Sequence, residues 1–187
     1  MTISRVVFLL LPLLSIGSGT IALAQSQPSN QIECARAIPT PIVKKAIFPN
    51  IKFVLIPDLD RVPIGMETVR FNNGDRLIIT NTGCESYIFN FQFETSRFAA
   101  DINNSKYWYD RAVQLMRQVK PGIEVQSNID RGIQALENYR NANNRLEIGK
   151  EINYGGEDIR SVVKLVEVQK TGTKKFLVTV NFYYGPL

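Results

Sequence analysis

Histidine is absent from all 187 residues, and cysteine occurs only at Cys34 and Cys84. Without histidine there is no Ser-His-Asp or Cys-His machinery, no common general base for neutral pH, and no imidazole to complete an ordinary zinc set. The two cysteines are too far apart in sequence for a Cys-x-x-Cys redox pair. Gly-x-Ser-x-Gly, Gly-x-x-x-x-Gly-Lys and Gly-x-Gly-x-x-Gly are missing too, which removes the nucleophile elbow and both glycine-rich phosphate cradles. Nothing in the chain calls for a cofactor or a metal. Asp58 and Asp60 supply oxygens but lack the regular ligand run of a calcium loop.

Long apolar runs are equally scarce. The one that exists, Val6 to Leu14, follows the cation Arg5 and is broken by Pro12, Gly17 and Gly19 before it reaches the ~20 residues that span a bilayer. It leads into Ala22-Leu23-Ala24, a small-x-small pattern that suits signal peptidase, and then into a polar stretch starting at Gln25. Residues 1–24 therefore read as a cleavable signal peptide, and residues 25–187 as a single secreted α+β domain with no transmembrane span. A short signal peptide and a lone cysteine pair suggest a bacterial protein, periplasmic or released to the medium. In such an oxidising compartment Cys34 and Cys84 most simply pair. Closing that loop would stabilise the fold by ~4 kcal/mol on the chain-entropy model.

Charge of either sign is modest. Removing Arg5 from 22 basic residues leaves 21 against 17 acidic ones, a net +4. That favours solubility but gives no clustered basic face of the kind a specific nucleic-acid binder needs. Lys170, Lys174 and Lys175 crowd one hairpin tip, where lysines usually guard against edge pairing.

What the chain has in quantity is periodicity. Residues 51–56 form a β-branched run closed by Pro57. Met66 to Phe71 and Arg76 to Thr80 flank Asn72-Asn73-Gly74-Asp75, a strong hairpin signal because Asn73 and Gly74 tolerate positive φ. Tyr87, Phe89, Phe91 and Phe93 alternate with polar residues, the pattern of a strand with one buried face. The period then changes to helical. Trp108, Ala112, Leu115, Met116 and Val119 make one stripe, ended by Pro121-Gly122, and Val125, Ile129, Ile133, Leu136 and Tyr139 make a second, with a variant capping box at Ser127 to Asp130. Strands return in Leu146 to Tyr154, Ile159 to Gln169 and Lys175 to Tyr184. The expected fold is α+β: a mainly antiparallel sheet with two central helices on one face and one disulfide.

Carboxylate chemistry is the catalytic route left open. Two-residue turns at Asn73-Gly74 and Thr82-Gly83 would set Glu67 and Glu85 on one face, ~10 Å apart at the backbone. Thr82 resists positive φ, so a three-residue loop ending at Gly83 is the better expectation, and it sends the two glutamates to opposite faces. That register gathers Leu77, Ile79, Tyr87, Phe89 and Phe91 on one side. It leaves Val69, Phe71, Ile78 and Ile88 on the other, as a second apolar face. The proline-rich segment Ala35 to Pro49 either covers that face or leaves it as a partner site. The resulting expectation is an exported, non-catalytic binding protein of accessory, inhibitor or immunity type, whose partner is another protein. The alternative is a carboxylate-dependent hydrolase of envelope or extracellular glycan.

Overall fold

The computed structural model describes residues 37–57, 63–156 and 159–186. Seven strands form one antiparallel sheet in the order β1-β2-β3-β4-β7-β6-β5. The first four, β1 (Lys52–Ile56), β2 (Ile64–Arg70), β3 (Arg76–Thr82) and β4 (Tyr87–Thr95), run as a meander. Two helices follow, α1 (Ser105–Val119) and α2 (Gln126–Ala142), separated by a 3-10 turn at Lys120–Gly122. The chain closes with β5 (Ile152–Asn153), β6 (Ile159–Gly172) and β7 (Lys175–Pro186), and β7 inserts beside β4. Chain-local patterning thus produced the expected α+β class, an antiparallel sheet with two helices.

One face of the sheet carries the core. Along β4, Phe89, Phe91, Phe93 and Thr95 are buried, while Ile88, Asn90, Gln92 and Glu94 between them are only half-buried. Register carries the same alternation into the neighbours: Phe91 sits between Ile79 on β3 and Val180 on β7, and Phe93 between Leu77 and Val178. Both helices lie on this inner face and contact β6 and β7. Trp108, Ala112, Leu115, Met116 and Val119 of α1 are all buried, as their spacing predicts. Asn104 caps α1 by accepting the Tyr107 N–H at 3.1 Å, satisfying one of the donors a helix start leaves open. The helix gives way at Pro121, which has no N–H to continue it. In contrast, α2 has Val125 at its N-cap and no side-chain cap, so the expected Ser127 to Asp130 box falls inside the helix. The expected strand from Leu146 to Tyr154 shrinks to Ile152 and Asn153.

The inner face is finished by an irregular strap, residues 37–51. It lies beside the helices, on the same side of the sheet. This corrects the expectation that the segment Ala35 to Pro49 would cover the second face. The strap is zipped to the turn between the helices: Lys44 N–H donates to Gly122 C=O at 2.7 Å and Glu124 N–H to Ile42 C=O at 2.8 Å. Gly122 is required there, because a Cβ would come within 2.2 Å of the Phe48 ring. Phe48 in turn meets Phe71 edge-on, with ring centroids 5.9 Å apart.

Candidate functional site

The four residues singled out as a second apolar face do not share one. Ile78 and Ile88 are on the outer face, half-buried, but Val69 is 2% exposed within the core and Phe71 packs against it. The cause is a one-residue difference in the first hairpin. A two-residue turn would pair Val69 with Ile78, whereas Val69 pairs with Leu77 and Arg70 with Arg76. Phe71 N–H donates to Asp75 C=O at 3.0 Å, making Asn72-Asn73-Gly74 a three-residue loop with Gly74 at φ +86°. Because side chains alternate along a strand, a shift of one residue moves the whole strand to the other face.

The same shift decides the fate of Glu67. It pairs with Ile79, turns inward and is 1% exposed. Its Oε1 accepts the Ile42 N–H at 2.8 Å and its Oε2 the Val43 N–H at 3.0 Å. Glu67 therefore holds the strap to β2, using both carboxylate oxygens. Burial raises its pKa above the usual carboxylate range, the two N–H bonds partly offset this, and nearby Glu124 pushes it further up. Glu85 stands outside the strand ladder, exposed in the turn after β3. The second turn also departs from expectation: β3 continues through Thr82, which pairs with Ile88, and Gly83 at φ +111° opens a longer loop. The fold does not set Glu67 and Glu85 side by side on one sheet face.

Other polar and aromatic side chains are taken up by the structure. Asp75 is 4% exposed and gathers Asn73, Thr95 and Arg97 around its Oδ2, with Arg97 Nε at 2.5 Å, so it locks the hairpin to the end of β4. Trp108 and Tyr109 are fully buried, and burial beside Tyr139 and Glu147 raises the Tyr109 hydroxyl pKa. Lys170, Lys174 and Lys175 are exposed at the β6–β7 hairpin tip. Asp58, Asp60 and Cys34 lie outside the described residues. Among the described residues no three acidic or cysteine side chains converge as a metal site, and no helix is long and apolar enough to cross a membrane.

What remains is the outer face, half-buried for the most part and closed at Thr179, and the edge beside it. Cross-strand rows on that face run Val54, Met66, Thr80, Asn90, Asn181 and Lys164, and next to it Thr68, Ile78, Gln92, Thr179 and Glu167. The apolar members concentrate toward β1. On that edge strand Val54, Leu55 and Ile56 are 50%, 43% and 37% exposed, a run of three that sequence reading treated only as a strand. Among the described residues nothing pairs with the free edge of β1. No family model, curated protein or solved structure matches the chain.

Proposed function

We propose that the chain is an exported, non-catalytic binding protein that captures a protein partner at β1 and the adjoining outer face. The carrying observation is the exposed apolar edge. An unpaired strand presents backbone N–H and C=O groups that an extended segment of another chain can extend, and native edges usually blunt this with charge, proline or bulges. Here Lys52 opens the strand and Pro57 follows it, but its last three residues are Val54-Leu55-Ile56. Met66 and Ile78 continue the apolar surface inward from Val54, and Ile88 lies on the same face further on. The employment of both Glu67 oxygens in holding the strap speaks against the carboxylate-hydrolase alternative.

Affinity capture from the native secretome and envelope, with wild type beside Val54→Lys and Ile56→Lys, tests this reading. Both side chains are exposed, so the fold should tolerate the changes, with melting temperature as the check. A partner held by wild type and lost by both variants is the expected result. Equal recovery by all three, or turnover of a glycan or peptide that depends on Glu67 or Glu85, would overturn it.

Export carries its own prediction. The secreted protein should begin at Gln25 and be lighter by two hydrogens for a Cys34 to Cys84 bridge, with no alkylation until a reductant is added. Intact mass spectrometry decides this. A different start, or two thiols reactive without reductant, would contradict it.

A further inference from the structure

At the opposite edge of the sheet from β1, a groove of about 530 Å³ open to solvent runs between α2 and the short strand β5. Its volume is within the ~300 to ~1,000 Å³ typical of small-ligand sites. The α2 wall is one helical stripe, in which Arg131, Gln134 and Asn138 follow at spacings of three and four and Tyr139 lies four residues past Ala135. The facing wall is Asn153 and Tyr154. Among the described residues no carboxylate and no lysine lines it.

The groove's polar groups differ in how far they are already used. Arg131 donates to the Tyr154 C=O at 2.7 Å and lies over the Tyr154 ring, so its charge is turned to the wall. Asn153 Oδ1 accepts the Gly155 N–H at 2.9 Å, which fixes the side chain. The carboxamides of Gln134 and Asn138 are exposed and make no hydrogen bond within the described residues. The Tyr154 hydroxyl is shielded and likewise without a partner among them. Burial pushes its pKa up to about 12, in keeping with that shielding.

Free carboxamides both donate and accept, and so do sugar hydroxyls, whose ring C–H faces also suit phenol rings. Among the described lining residues none is anionic and the one cation, Arg131, is engaged, so these residues offer no strong charge of either sign to a ligand. We infer that the groove between α2 and β5 binds an uncharged pyranose oligosaccharide through Gln134, Asn138 and Asn153, with Tyr139 as the ring-contacting wall. This site is separate from the β1 surface, and either stands without the other.

The test is an amide-shift titration by NMR of the protein as its host processes it. Cellotriose, maltotriose, chitotriose and the acidic trigalacturonate would each be added to about 10 mM, well above a millimolar Kd. At least one neutral trisaccharide should give saturable shifts centred on residues 131–139 and 152–154. Gln134→Ala and Asn138→Ala should each weaken it about three- to tenfold, the worth of one hydrogen bond. Both positions are exposed, so the fold is not at stake. Shifts with none of the neutral sugars, binding of trigalacturonate alone, or binding indifferent to both substitutions would overturn the inference.

Discussion

Replacing Glu67 with alanine is expected to destabilise the protein by about 2–4 kcal/mol at neutral pH, although the residue is polar. The change leaves the Ile42 and Val43 N–H groups buried without acceptors, and each such group costs about 1–3 kcal/mol. Part of that loss is returned, because burying the carboxylate is itself unfavourable, as its raised pKa shows. The strap should loosen first, so amides at 42–44 should lose hydrogen-exchange protection along with their partners at 122–124. The pH dependence has a definite sign. The folded state holds the Glu67 proton more tightly than the unfolded chain, so this residue's contribution is complete below its ordinary value near pH 4.5 and declines as pH rises through the raised folded value. Denaturant titrations should therefore show the gap between wild type and Glu67→Ala narrowing as pH increases from 4.5 upward. A gap that widens, or no destabilisation at all, would show that the carboxylate does not fasten the strap.

Phe91→Ala should cost about 3–5 kcal/mol, the range for truncating a buried aromatic and leaving a cavity. Phe91 is fully buried at the middle of the sheet, between Ile79 and Val180, with its ring edge-on to Phe182 at 5.6 Å. Phe89→Ala should fall at or below the lower end of that range. Phe89 is 5% exposed and stacks on Tyr87, which is 43% exposed, so water and local movement can partly fill the gap. The measurement is a shift in denaturation midpoint at unchanged slope. Equal midpoints for Phe91→Ala and wild type would mean that the aromatic face of β4 is not the core.

The two helices and the strand content follow from the chain read locally. A stripe such as Trp108, Ala112, Leu115, Met116 and Val119 buries one side only as a helix, and the alternation from Tyr87 to Phe93 buries one side only as a strand. Neither depends on what lies across the core. The ends of elements were less legible. The α2 start lacks the side-chain cap that Ser127 to Asp130 suggested, because Ile129 and Ile133 are already anchored by packing, which outweighs a cap.

Register and cover were decided by tertiary structure. Asn72-Asn73-Gly74 admits a loop of two or three residues on turn chemistry alone, and the choice assigns Val69 to one face or the other. Burial settles it: the three-residue loop turns Val69 into the core and sends Glu67 after it, which works only because the strap supplies two N–H donors there. Those donors come from residues 24 and 25 positions earlier in the chain, a distance at which no local pattern operates. The pairing of β7 with β4 and the placing of the strap beside the helices are likewise long-range. The sequence by itself determined which segments are helix and, the Leu146 to Tyr154 stretch apart, which are strand, since these follow from period. Only the tertiary structure decided which residues face inward, which edge stays open and which polar groups are spent, because those depend on partners far away along the chain.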